Sequence, residues 1–272
     1  MLKICVLGLG EVGLPTAIYM VRKHEEVWGY DIASSAVKKA KDNGLSRATK
    51  KWGEIPSMDV YVVCASTRLS NDGTPDLAPV FDCCEKIARA ANKPALVSIE
   101  STIVPLTSRK IYEDIFDKRI AMVHVPHRFY GAEPMRHGVK QKRVIGGIDE
   151  KSLKLGREFY ENNEIPLHVV SSIEIAEMTK IAENAYRFVQ ISFAEELKMI
   201  CNGLGLSFEQ VRDACNTKWN IDLLDAMEGI GGHCLPKDIR YLISLTAGGA
   251  LLKSSITVDA TYKIWKAHRE LS

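Results

Sequence analysis

The sequence predicts an α/β chain, a doubly wound parallel sheet followed by an all-α domain built around a long central helix. Three observations predict it. The first half alternates short apolar runs with amphipathic stretches, the pattern of a parallel sheet covered on both faces. Strand-like runs stop after residue 171. The segment "SSIEIAEMTKIAENAYRFVQISFAEELKMICNG" then reads as one uninterrupted helix. The division is placed at 170/171, with an α/β domain over 1–170 and a helical one over 171–272.

In order, "KICVLG" (3–8) is the first strand, with a helical pattern from Glu11. "EVWGYD" (26–31) precedes "SSAVKKAKDNG", and "MDVYVVCAS" (58–66) precedes "DLAPVFDCCEKIARAA". "PALVSIES" (94–101) precedes "LTSRKIYEDIF"; "RIAMVHVP" (119–126) and "KRVIGG" (142–147) follow, then a helix over 149–162 and "LHVVS" (167–171). Ser171 and Glu174 form a capping box for the long helix, and Gly203 ends it. Ser207 and Gln210 cap another helix, and the chain is helical again from Lys237.

Composition narrows the function. With 46% hydrophobic and 26% charged residues the chain has a globular balance, and a formal charge of +2 calls for neither nucleic acid nor a membrane surface. No apolar run reaches spanning length, and the N-terminus enters a strand pattern at once, with no room for a signal peptide. Seven cysteines without CxxC spacing suggest reduced thiols in the cytoplasm.

"GLGEVG" sets Gly8, Gly10 and Gly13 in GxGxxG spacing, with Glu11 and Val12 inside it, between a strand and a helix. Glycine allows a tight turn and close approach of a pyrophosphate, which the helix N-terminus then holds. Asp31 ends the second strand, where an acid binds the adenosine ribose hydroxyls. A glycine-rich turn alone would be weak, but its context and Asp31 make this a Rossmann-like dinucleotide fingerprint. Asp31 would repel a 2′-phosphate and no arginine follows it closely, so NAD is favoured over NADP.

On the long helix Glu177, Lys180 and Asn184 are spaced to share a face. Such a stripe is often a solvated salt-bridge row. Here Ile173, Ile175, Met178, Ile181, Ala185, Phe188, Val189, Ile191 and Phe193 cover most of the circumference, which predicts a buried helix whose lysine is paired or faces a polar cleft. In "GIGGHCLPKD" three glycines precede Cys234 and a Lys-Asp pair follows. Pro236 suits the first turn of a helix, so Cys234 falls at a helix N-terminus beside Lys237, and both favour the nucleophilic thiolate. Asp238 can accept a proton. The bland alternative is a cysteine packed in a glycine turn. His233 reads as a local packing or hydrogen-bonding residue. His124 and His127 would fall on opposite faces of an extended segment, which argues against a metal site.

"GLGEVGLPTA", "ESTIVPLT", "EMTKIAENAYRFVQISFAEEL" and "GIGGHCLPKD" occur in the order seen in the UDP-glucose/GDP-mannose dehydrogenase family, and the chain resembles its UDP-N-acetylmannosamine dehydrogenase branch. The resemblance implies an alcohol of a nucleotide sugar oxidised twice to a carboxylate, with two NAD reduced and the cysteine carrying a thiohemiacetal and then a thioester. It implies Cys234 as that nucleophile, Lys180 and Asn184 as holders of oxyanion and water, Asp238 as acid–base partner and Thr102 as the water-binding threonine. It matches Thr67 to a cofactor-contacting threonine, with Arg68 where proline is usual. It also implies a homodimer through the helical domain.

The chain departs from that pattern twice. The family's third, UDP-binding domain is absent from the sequence, and His127 replaces a glutamate that takes part in water and proton chemistry. A histidine could serve as a base near neutral pH, or the second oxidation could be lost. Two other functions therefore stay open, a two-electron alcohol dehydrogenase for a smaller substrate and an NAD-binding subunit or sensor without turnover.

Overall fold

Alternate residues of a buried strand must find apolar neighbours on both faces of its sheet. In the computed structural model, which describes residues 2–91, 94–128 and 138–270, the central strands do so. Ile4 and Val6 of β1 (Lys3–Leu7) join one buried cluster, while Cys5 and Leu7 join another. β4 (Val60–Val63) divides the same way, Val60 and Val62 against Tyr61 and Val63. The remaining strands of this sheet are β2 (Glu26–Tyr30), β3 (Ala48–Thr49), β7 (Leu96–Ile99), β8 (Ala121–His124), β9 (Arg143–Gly147) and β10 (Leu167–Val169). Their order is β10-β9-β8-β7-β4-β1-β2-β3, eight strands in all. A two-residue pair, β5 (Arg68–Leu69) with β6 (Pro75–Asp76), stands apart.

The strand order reverses between β1 and β4, which pair with each other in parallel. That reversal opens a crevice beyond their carboxyl ends, where doubly wound folds bind ligands. The sheet is not wholly parallel, as the sequence had suggested. β9 runs antiparallel to β8, with Val123 opposite Gly147 and His124 opposite Gly146. An apolar run carries no sign of its direction, so "KRVIGG" gave no warning. The reversal puts Arg143, the first residue of β9, at the same edge as the last residues of β7 and β8. The short β3 also escaped the pattern, being two residues long.

The helices follow their apolar spacing. α1 (Gly13–Val21) buries Leu14, Ala17 and Met20. α2 (Ser34–Asp42) is mostly exposed, with Ala40 buried. α3 (Ala78–Ala90) buries Val80, Cys83, Cys84 and Ile87, one face of a helix with proline in its first turn. α4 (Thr107–Asp114) starts after Leu106, which has φ of 76°. α5 (Glu150–Asn162) is capped by Asp149, whose Oδ1 accepts the Ser152 N–H at 2.7 Å.

The long helix α6 (Ile173–Gly203) ends at Gly203, but its cap differs from the expected box. Ser172 Oγ, not Ser171, accepts the Ile175 N–H at 3.4 Å. α7 (Phe208–Cys215) is capped by Ser207, which accepts the Gln210 N–H at 3.2 Å. α8 (Cys234–Ser244) and α9 (Ala250–Glu270) complete the chain.

Contacts divide the chain into two compact units, residues 1–68 with 75–180, and 69–74 with 181–272. The division falls inside α6, ten residues beyond the sequence-derived boundary. The first turns of α6 belong to the sheet unit because Ile173 is buried in its core and Glu177 is bound there. In the second unit Ala185 and Phe188 of α6 pack with Ile239 of α8, and Ser192 Oγ donates to the Ser255 carbonyl of α9 at 3.1 Å. The expectation of a helix buried all round is not met within the chain. Ile175 and Met178, in the first unit, are 44% and 38% exposed, and Phe193, in the second, is 59% exposed. Among the described residues no helix is long and apolar enough to cross a membrane.

Candidate active site

The loop after β1 is shaped by close approach. Gly8 has φ of 90°, and a Cβ there would stand 2.6 Å from the Cys64 carbonyl oxygen, at the end of β4. A Cβ on Gly13 would meet the Gly8 oxygen at 1.7 Å. Only glycine permits this turn to lie flat against the β4 loop and run into α1. Around Gly10 the space is open, and no side chain caps the N-terminus of α1. Asp31 accepts the Leu9 N–H at 2.7 Å and the Ala33 N–H at 2.8 Å, tying the end of β2 to the same loop. An open, uncapped helix N-terminus behind a glycine turn, with a carboxylate at the next strand end, fits a dinucleotide. Glu11 is exposed and Val12 half-buried within that turn.

The neighbouring loops are tied together at the same edge. Thr67 Oγ1 donates to the Thr102 carbonyl at 2.9 Å, and Ser101 Oγ donates to the Ala65 carbonyl at 2.7 Å. Thr67 and Thr102 are thus brought together, with Arg68 exposed beside them.

Behind this edge lies a polar network that sequence reading missed. Glu100, at the end of β7, accepts from Arg143 Nη1 and from the Tyr160 hydroxyl, each at 2.7 Å. Tyr160 also contacts Ser98 Oγ at 2.6 Å. All four side chains are buried. The β8–β9 register, continued three residues, sets Arg143 opposite His127, and Arg143 Nη2 lies 2.9 Å from His127 Nε2. Guanidinium nitrogens only donate, so Nε2 is the acceptor and the imidazole carries its proton on Nδ1. Thr16 Oγ1 lies 3.3 Å from the same Nε2. Burial first, then the Arg143 and Lys180 cations, hold the His127 pKa well below the usual histidine value. The lowered pKa and the Arg143 donor on Nε2 both weaken His127 as a base, the less favourable of the two alternatives for the second oxidation. The one available signal was a charged residue near the end of one apolar run, "PALVSIES", and another near the start of a second, "KRVIGG".

On α6 the three polar residues are not one functional row. Glu177 accepts the Leu106 and Ser108 N–H groups at 2.8 and 2.7 Å, closing the N-terminus of α4. Burial raises its pKa to about 7, against the opposing effect of those donors. Lys180 is half-buried and lies one turn before Asn184.

Asn184 is within the second unit, where its Nδ2 donates to Asp238 Oδ2 of α8. Asp238 Oδ1 is 2.6 Å from Lys237 Nζ, and that ammonium lies 4.2 Å from the Tyr241 ring centroid. Lys237, expected beside the Cys234 thiol, is buried and taken up by Asp238. Cys234 is exposed and is the first residue of α8, one turn before Asp238. His233 precedes it as the N-cap residue and makes no side-chain cap bond. Gly231 and Gly232 have open space where a side chain would stand. All seven cysteines are free.

Residues 35–164 match the NAD binding domain of the UDP-glucose/GDP-mannose dehydrogenase family, and residues 174–261 match its central domain. Lys180, Asn184, Cys234 and Asp238 fall in the second match. The chain is 32% identical to the UDP-N-acetyl-D-mannosamine dehydrogenase of Methanococcus vannielii, over 93% of this chain and 64% of that protein. It is 28% identical to the NDP-N-acetyl-D-galactosaminuronic acid dehydrogenase of Ralstonia nicotianae, over 92% and 66%. The structure of the UDP-D-ManNAc dehydrogenase from Pyrococcus horikoshii superposes with a TM-score of 0.90 at 28% identity, covering 98% of this chain and 70% of that one. A 3-hydroxyisobutyrate dehydrogenase from Mycobacterium tuberculosis shares the fold, with a TM-score of 0.77 at 19% identity. The chain spans 64% of the length of the mannosamine dehydrogenases it resembles. With both domains matched in sequence order, the chain belongs to the UDP-glucose/GDP-mannose dehydrogenase family.

Proposed function

We propose that the chain is an NAD-dependent dehydrogenase that oxidises a primary alcohol of a nucleotide sugar toward the uronic acid, with Cys234 as nucleophile. The observation that carries this reading is the exposed Cys234 on the first turn of α8, one turn before the Asp238–Asn184 hydrogen bond, in the segment matched to the family's central domain. Bound NAD supplies the hydride acceptor. Gly8, Gly10 and Gly13, with Glu11 and Val12, line its pyrophosphate turn, Asp31 takes the ribose hydroxyls, and Thr67 and Thr102 contact the cofactor. The alcohol first loses its hydroxyl proton and a hydride, to the first NAD, and becomes the aldehyde; the Cys234 thiolate adds to that aldehyde carbon, and the carbonyl oxygen takes up a proton as the thiohemiacetal forms. Loss of the hydroxyl proton together with a hydride from that carbon, to a second NAD, leaves the thioester; water cleaves it, releasing carboxylate, thiol and a proton. Lys180 and Asn184 donate to the developing oxyanion and hold the water, each such donor being worth about 10² to 10³ in rate. Asp238 moves the proton, and Thr102 orients the water.

The neutral, donor-bearing state of His127 favours a second reading. Where the family has a carboxylate, this chain has a poor base, so removal of the thiohemiacetal hydroxyl proton as the second hydride leaves would lack help and oxidation would stop at two electrons, at the aldehyde. Counting NADH per molecule consumed, across UDP- and GDP-sugars, separates the readings. Two equivalents are expected for the acid-forming enzyme. One equivalent means simple alcohol oxidation, and none with measurable NAD binding means a sensor.

Asp31→Ala is expected to weaken NAD binding by about 10- to 100-fold, the value of one charge-assisted hydrogen bond pair. It should also relax discrimination against NADP, because the repelling charge is gone. Titration with both cofactors checks this, and an unchanged preference would move the ribose site away from Asp31. Two further features support assignments beyond the active site. The apolar side chains of α6 left open in the second unit at Tyr186, Phe193 and Ile200 support a homodimer through the helical unit. Seven unpaired thiols support a cytoplasmic location.

A further inference from the structure

Residues 227–230, "MEGI", lead into the glycine turn that delivers Cys234, and they form no helix and no ladder strand. Their backbone groups must therefore find partners elsewhere. One face of α9 provides them. Asp259, Tyr262, Lys263 and Lys266 follow the three- and four-residue spacing that stacks side chains on one side of a helix. Asp259 Oδ1 accepts the Ile230 N–H at 2.8 Å, and Lys263 Nζ donates to the Ile230 carbonyl at 2.8 Å. Lys263 also pairs with Asp259 Oδ2 at 2.8 Å, so the two side chains close a ring around the polar groups of Ile230. The Tyr262 hydroxyl donates to the Met227 carbonyl at 3.0 Å, and Lys266 pairs with Glu228. Gly229, at φ of 90°, lies flat on the Lys263 stem, where a Cβ would stand 2.7 Å from Cε.

We propose that this face of α9 is the template that sets the Cys234 loop, with Asp259 and Lys263 as positioning residues for the thiol. The proposal rests on the reading of Cys234 as the reacting group. Four side chains of one helix converge on four consecutive residues, and both polar groups of the Ile230 backbone are held by side chains of opposite charge. Ordinary packing of a helix on a loop does not need that convergence. Ile230 is itself buried at 3% exposure, so its N–H and C=O have no solvent to turn to if the clamp opens. The glycines beyond it, Gly231 and Gly232, are exposed. The rigid point nearest to Cys234 in the upstream chain is therefore Ile230, and α9 fixes it. On its other side Asp259 meets Glu195 of α6, whose pKa burial and then the Asp259 charge raise to about 8. At neutral pH that carboxyl keeps its proton and adds no second charge to the clamp.

Hydrogen exchange followed residue by residue tests this without any substitution. In the intact chain the Ile230 amide should exchange at least about tenfold more slowly than those of Gly231 and Gly232; equal rates would overturn the clamp. Lys263→Met keeps the stem against Gly229 and removes the ammonium. It should speed exchange at Ile230 and lower turnover with the KM for NAD unchanged, while amides in the middle of α6 stay as before. Lys263→Arg should restore turnover. Wild-type loop exchange and turnover in Lys263→Met would overturn the proposal, as would equal loosening of the whole unit. Acid formation surviving in Cys234→Ser would sink the functional reading instead, leaving the exchange result to judge the clamp.

Discussion

Cys234→Ser is expected to abolish acid formation, by about 10⁴-fold or more, while leaving hydride exchange between alcohol and aldehyde measurable. The magnitude is that of removing a covalent nucleophile whose role no neighbour can assume. A serine hydroxyl at neutral pH is almost wholly protonated and cannot add to the aldehyde as a thiolate does. The remaining donors still bind the aldehyde, so the two-electron half of the reaction survives. Labelling with iodoacetamide gives the matching result in the unmodified chain. Cys234 and Cys215 are exposed, whereas the other five thiols are buried. Burial pushes the Cys83 thiol up to about 12 and raises those of Cys5, Cys64 and Cys84 as well. Labelling should therefore reach Cys234 and Cys215, and loss of acid formation should track the Cys234 adduct alone. Acid made at the wild-type rate by the serine variant would remove Cys234 from the chemistry, and the glycine–cysteine–Lys-Asp cluster would then need a structural explanation.

Much of this site could be read from the sequence because its signals are local. The glycine turn, the acid ending β2, the Ser207 cap and the cysteine at the start of α8 all depend on neighbours within a few residues. What escaped depends on partners far along the chain. Glu100 and Arg143 are 43 residues apart and look like ordinary charged strand ends. Only the reversed direction of β9 brings them to one edge, and the apolar alternation of a strand is the same in both directions. Lys237 was misread for a related reason. Its sequence neighbour Cys234 suggested an activating role, but α8 turns the lysine toward Asp238 and the Tyr241 ring. The apolar surface of α6 was counted correctly, but periodicity does not say what covers it, and the chain's own helices cover one side. Asp259 and Lys263 are 29 and 33 residues beyond Ile230, with no motif linking them.

Arg143→Met is expected to cost about 3–5 kcal/mol of stability, the usual result of stripping one partner from a buried ion pair. The side chains of Arg143 and Glu100 are 1% and 0% exposed, so no water replaces the lost guanidinium. Glu100 would keep the Tyr160 hydroxyl, but its negative charge would remain in the core uncompensated. The Val139 carbonyl and His127 Nε2 would lose their donor at the same time. Urea unfolding midpoints of the single variant and of Arg143→Met with Glu100→Leu give the test. The double variant should recover much of the loss, because no isolated charge is left behind. His127 supplies an independent readout. Removing Arg143 takes away one of the two cations that depress its pKa, so the imidazole should titrate at higher pH than in the wild type. Burial, the larger cause, remains, and the value should still lie below that of an exposed histidine. A single variant that loses less than about 1 kcal/mol, with an unmoved His127 titration, would mean that Arg143 neither compensates a buried charge nor depresses the histidine.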